Sequence, residues 1–121
     1  MGTHRVVRIM DLATDAAAIA AYDDAHRVGR TPAAVVEAQH RHGIVEMEIF
    51  RAGHRLVMIL TLAEDFDAEG LRRIERDHPQ LIAWQARMAE LQRAPFADGE
   101  PWPVAHRVFR QSDHLSNEDR I

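Results

Sequence analysis

No cysteine occurs among the 121 residues. That rules out disulfides and thiolate chemistry and fits a reducing compartment. No apolar run approaches the ~20 residues of a membrane span, and the N-terminus lacks the apolar stretch of a signal peptide. A cytoplasmic location is the expectation. A Gly-rich phosphate loop, a GxSxG elbow, an HExxH helix and a zinc-ligand spacing are all missing, so nucleotide, serine-hydrolase and zinc-enzyme readings lack support. The net charge of −4 gives no reason to expect nucleic acid or an anionic membrane as partner. There is no internal repeat and no low-complexity segment. What is present, 46% hydrophobic and 28% charged residues, is ordinary globular usage. It fits a single domain over residues 1–110, followed by a polar tail over 111–121.

His4 to Met10 (HRVVRIM) is short, β-branched and stopped by Asp11, which predicts a first strand. Asp15 is a fair N-cap for an alanine-rich helix running to about Val28 and ended by Gly29. Thr31-Pro32 restarts a helix, with a hydroxyl N-cap and proline at the first helical position, and Gly43 terminates it. Ile44 to Phe50 alternates, with Val45, Met47 and Ile49 on one face and Glu46 and Glu48 on the other. The turn Arg51-Ala52-Gly53-His54 leads to a hairpin partner, Arg55 to Leu62. That partner is apolar on both faces. One chain of this size supplies helices for one face only, so a second copy is expected on the other.

Glu64 to Asp67 is a turn and cap leading to a helix through Leu71 and Ile74, which Pro79 interrupts. Beyond it, Leu81, Trp84, Met88 and Leu91 form an amphipathic stripe. Ala94 to Pro103 is a proline-rich loop holding Trp102, and Val104 to Phe109 is a last strand. Strand, broken helix, hairpin, broken helix, strand is the α+β, ferredoxin-like split βαβ order, with helices on one face of the sheet.

The candidate chemistry centres on Tyr22-Asp-Asp-Ala-His26. A spacing of four puts the phenol and the imidazole on one helix face, and Ile19 marks that face as inward. Such a pair is either a satisfied core pair or the floor of a pocket. Trp84 on its stripe is either core or a ligand platform. Glu46 and Glu48 are either solvated strand positions or acceptors for a polar ligand. His40 and His42, two apart, diverge on a helix and have no cysteine beside them, so no metal site is expected.

Taken together, Tyr22-x-x-x-His26, Met47-Glu48-Ile49-Phe50, Asp65-Phe66-Asp67, Trp84-x-x-x-Met88 and Gly99-Glu100-x-Trp102 ending in Val108-Phe109 resemble the L-rhamnose mutarotase family. The similarity runs from about Arg5 to Arg110. The rhamnose branch carries a second tyrosine where this chain has Met47 and a second tryptophan where it has Gln85. The MEIF and GExW segments are similar to the L-fucose mutarotase-like branch instead. The resemblance implies a homodimeric ferredoxin-like α/β barrel that interconverts the α and β anomers of a 6-deoxyhexose, L-fucose or L-rhamnose, without a cofactor. It implies His26 as the catalytic proton donor and Tyr22 and Trp84 as sugar contacts, with Met47 and Gln85 at two further family positions around the monosaccharide. By residue chemistry, Glu48 or Glu46 is a candidate acceptor for sugar hydroxyls, and Trp102 is a second indole on which the ring could pack. Two other classes stand beside this reading: a cofactor-independent monooxygenase of the same dimeric fold, and a non-catalytic sugar-binding dimer.

Overall fold

The computed structural model describes residues 2–116, so the last five residues of the expected polar tail lie outside it. In chain order the elements are β1 (Thr3–Leu12), α1 (Ala16–Ala25), α2 (Ala33–Arg41), β2 (Ile44–Ala52), β3 (Arg55–Ala63), α3 (Ala68–Asp77), α4 (Pro79–Leu91), β4 (Gln92–Arg93) and β5 (Val104–Ala105). A 3-10 turn at Gln111–His114 follows. The antiparallel sheet has the order β2-β3-β1-β4, with β5 also pairing β1, which is the ferredoxin-like order expected from the chain.

Register decides which side chains face the helices. Directly paired residues project to the same side of a sheet, so Met47–Leu60–Val6, Ile49–Met58–Arg8 and Arg51–Leu56–Met10 form three rows across β2, β3 and β1. These rows are the floor on which the helices pack. One half of the core gathers Val35, Ala38, Leu71 and Leu81 over Ile44, Leu60 and Leu62. The other gathers Tyr22, Ala25 and Met88 over Met10, Leu12 and Leu56. Trp84 packs against both halves and joins them. The alternate residues Val7, Ile9, Val57 and Ile59 belong to neither cluster. They form an apolar centre on the far face of the sheet, bordered by Glu48 and the Asp11–Arg55 pair, and the helices of both clusters pack on the opposite face.

Several local expectations shift. β1 runs on through Asp11, because the Asp11 carboxylate pairs across the strands with the Arg55 guanidinium at 2.7 and 3.0 Å. Asp15 caps α1 as expected, accepting from the Ala18 N–H at 3.1 Å. The helix stops at Ala25, three residues before the expected end. Thr31 is not the N-cap of α2: its hydroxyl donates to the Ala25 carbonyl at 2.8 Å and so closes the end of α1. Pro32 takes the cap position of α2 without a side-chain bond. A bulge between Ile44 and Glu46 sets two residues of β2 against Thr61. It lets Ile44 and Met47, three apart, both face inward. Val45 is thereby turned out, 49% exposed, against the simple alternation expected of this strand. The last strand is two residues long, not six, and the two residues of β4 share its side of β1.

Candidate active site

α1 ends on a substitution of one donor for another. Past Ala25 the His26 N–H turns to the Asp23 carbonyl, and the imidazole Nδ1 lies 2.7 Å from the Tyr22 carbonyl instead. A carbonyl only accepts, so Nδ1 carries the proton and Nε2 is the pole left for chemistry. The same device closes α2, where His42 Nδ1 lies 2.6 Å from the Ala38 carbonyl. Capping alone therefore does not single out His26; its surroundings do. Its ring stands 4.2 Å from the Tyr22 ring and 5.2 Å, edge-on, from the Trp84 indole. It also lines a cleft of about 830 Å³ between the helices and the sheet, which His42 does not.

That volume lies within the ~300–1,000 Å³ typical of small-molecule sites. Tyr22, His26, Met47, Trp84, Gln85 and Trp102 all line the cleft. Glu48 does not. It pairs with Ile59 on the far face, because the bulge commits Met47 and Ile49 to the helix side. The expectation of Glu48 beside the sugar is corrected on that ground. Glu46 does reach the rim of the cleft, where its carboxylate accepts from the Met47 N–H at 3.0 Å. Gln85 sits on the exposed turn of α4 and donates to the Glu75 carbonyl at 3.4 Å.

Electrostatics separate the phenol from the imidazole. Tyr22 is 3% exposed, and burial pushes its phenol up to about 12, against the opposing pull of a hydrogen bond from Gln92. Across the physiological range Tyr22 is therefore a neutral hydrogen-bonding group, not a base. Asp23, beside it on α1, is held below the usual carboxylate range by the Arg51 guanidinium, which grips it at 2.8 and 2.6 Å. This fork ties the helix carrying Tyr22 and His26 to the end of β2. At the opposite end of the cleft, burial raises Glu75, with Arg72 and His42 opposing the shift.

Some lining residues carry no signal in the sequence. Arg8 is half-buried, faces inward in the middle row of the floor and donates from Nη1 to the Trp102 carbonyl at 2.9 Å. With Val6 and Val7 both apolar, the HRVVRIM segment has no alternation to show which side Arg8 takes. Gln92 lines the cleft where β4 pairs with Leu12. Trp102 has φ 51, a left-handed conformation that costs a non-glycine residue about 1–3 kcal/mol. Flanking bonds hold it there: Arg8 to the Trp102 carbonyl, and the Ile9 N–H to the buried Pro103 carbonyl at 3.1 Å.

The sequence profile described as L-rhamnose mutarotase matches residues 5–111. A protein of Xanthomonas campestris pv. campestris named L-fucose mutarotase is 39% identical over 118 residues, spanning 96% of this chain and 94% of that protein. Among solved structures, tetracenomycin F2 cyclase from Streptomyces glaucescens, a type-II polyketide cyclase, superposes with a TM-score of 0.48 at 17% identity. That superposition covers 88% of this chain and 95% of the cyclase.

Proposed function

From the premise that the chain belongs to the L-rhamnose mutarotase family, and so is a sugar mutarotase and a carbohydrate isomerase, we propose that its substrate is L-fucose and that His26 carries the chemistry. The name of the Xanthomonas relative favours L-fucose over L-rhamnose. The observation that carries the role of His26 is its fixed tautomer. With Nδ1–H held by the Tyr22 carbonyl, Nε2 is the nitrogen that exchanges protons within the cleft.

Mutarotation breaks the bond between the anomeric carbon and the ring oxygen. In the imidazolium form, Nε2–H delivers its proton to the ring oxygen, which keeps the bonding electron pair. The anomeric hydroxyl gives its proton to a solvent water in the open cleft, and its O–H electrons become the second bond of the open-chain carbonyl. Rotation about the adjoining carbon–carbon bond and reclosure by the reverse steps give the other anomer. An imidazole can both give and take a proton at one nitrogen, so it serves opening and reclosure alike, and such general acid–base catalysis contributes ~10²–10⁴-fold. The Tyr22 hydroxyl would hold a neighbouring sugar oxygen, and the apolar face of the ring would rest on Trp84. Met47 forms part of the apolar floor.

We further place this enzyme in the cytoplasm as a homodimer. In its favour, the far face of the sheet presents Val7, Ile9, Val57 and Ile59, with Phe50, 54% exposed, beside Val57 and Glu48 beside Ile59. An exposed apolar centre with polar residues at its rim is the pattern of an interface. No helix among the described residues is long and apolar enough to cross a membrane.

Saturation-transfer NMR between the anomers of L-fucose and of L-rhamnose tests the function. Exchange faster than the spontaneous rate, and faster for L-fucose, is the expected result. Binding of sugar with exchange left at the spontaneous rate would contradict it and favour a sugar-binding dimer.

A further inference from the structure

A half-buried cation in an apolar floor carries a desolvation cost that a nearby carboxylate normally offsets. Arg8 has no such partner among the described residues. Its row neighbours are Met58 and Ile49, and the rows on either side are built from Val6, Leu60 and Met47 and from Met10, Leu56 and Arg51, whose own guanidinium is taken up by Asp23. The ion pairs among the described residues join Asp11 to Arg55, Asp23 to Arg51, and Asp24 to Arg27 and Arg30. Glu46 and Glu75, which also line the cleft, make no ion pair with Arg8, and the Glu46 carboxylate bonds a backbone N–H.

The guanidinium is only partly used. Nη1 donates to the Trp102 carbonyl, and this bond orients the group. The edge formed by Nε and Nη2 has no hydrogen-bond partner among the described residues, although Arg8 lines the cleft with His26, Tyr22 and Trp84. Two parallel N–H donors on one guanidinium edge match the two oxygens of a planar carboxylate.

We propose that Arg8 is a specificity-determining residue that receives a carboxylate carried by the sugar, so that the cleft takes hexuronates. The inference rests on the mutarotase reading and widens its substrate class. The C6 group of a pyranose is a methyl in a 6-deoxyhexose and a carboxylate in a hexuronate. Ring opening and closure at the anomeric carbon are the same in both, so the acid–base step at His26 is untouched by the exchange. What changes is ground-state and transition-state binding alike, through a charge-assisted fork against Arg8.

The test uses three sugars of one ring stereochemistry that differ only at C6: L-fucose, L-galactose and L-galacturonate. Anomer exchange is measured by NMR on the intact protein, wild type, Arg8→Met and Arg8→Lys. Charge-assisted hydrogen bonds of this kind are worth roughly tenfold or more in affinity. The expected result is a kcat/KM for L-galacturonate about tenfold above that for L-galactose, falling toward parity in Arg8→Met and partly retained in Arg8→Lys. Methionine suits the site by volume, in a floor already holding Met10, Met47 and Met58. Should Arg8→Met fail to fold, the wild-type ratio of the two sugars still reads the charge, and it must drop as salt is raised. The proposal is overturned if L-galacturonate is exchanged no better than L-galactose, if the ratio is the same in Arg8→Met, or if salt leaves it unmoved. Acceleration of L-fucose alone would sink this inference and leave the mutarotase reading standing. Spontaneous rates for all three sugars would sink that reading itself.

Discussion

Tyr22 is the sole tyrosine of the chain, so its ionisation can be followed without interference. Burial places its phenol at about 12, against 10.0 for a free phenol. The shift is also a statement about folding. A phenol raised on folding favours the native state fully below pH 10, where both states are protonated. Above pH 10 the unfolded chain ionises first, and native stability is lost as pH climbs through 12. Two pKa units correspond to about 2–3 kcal/mol at 25 °C. The chain has no lysine, and Asp23 and Asp11 raise Arg51 and Arg55 above their ordinary value, which leaves the window between pH 9 and 12 to Tyr22. The experiment is an absorbance titration at the tyrosinate band, folded and in urea, beside urea unfolding of wild type and Tyr22→Phe across the same range. The native midpoint is expected near 12 and the unfolded midpoint near 10. Wild type should lose the stated stability with rising pH, while Tyr22→Phe should not. A folded midpoint near 10, or parallel pH profiles for the two proteins, would refute the claim that this hydroxyl is sequestered and works as a neutral donor.

Other consequences follow from single contacts. Gly43 has φ +104, and a Cβ there would lie 2.7 Å from the Phe66 Cα, backbone against backbone. Gly43→Ala should therefore cost more than about 2 kcal/mol by urea denaturation, and a smaller loss would mean that the turn is free to move. Trp84→Leu keeps an apolar plug between the two core halves but removes the indole. KM for the sugar should rise about tenfold while cooperative unfolding persists, and an unchanged KM would reduce Trp84 to packing. Wild type should sediment as a dimer, and Ile59→Asp, which places a charge in the centre of the far sheet face, as a monomer; a monomeric wild type would contradict the proposed interface.

Much of this arrangement can be read from residue order, for identifiable reasons. The stripe Leu81, Trp84, Met88, Leu91 has helical spacing, and Leu81 and Met88 are buried with Trp84 between them. Asp15 and Asp67 are the caps that their residue type favours. Tyr22 and His26 share a face, as a spacing of four requires. Other features depend on partners distant in the chain. The bulge in β2 exists only relative to Thr61, so Val45 and Glu46 could not be placed from IVEMEIF alone. Arg8 acquires its direction from pairing with Met58, fifty residues away in sequence. Thr31 lies where an N-cap belongs, yet the carbonyl it satisfies ends the preceding helix. Trp102 sits in a loop rich in proline, and its left-handed backbone depends on a guanidinium from the far end of the chain.

The central claim concerns one nitrogen, His26 Nε2, and the most direct measurement removes it while keeping the shape of the site. In His26→Gln, a side-chain amide can still reach the Tyr22 carbonyl, but an amide neither donates its proton to the ring oxygen as an acid nor takes one back as a base. Saturation transfer between the α and β anomers of L-fucose should fall by about 10²-fold or more relative to wild type, with the fold retained by circular dichroism. Exchange at the wild-type rate would contradict the account.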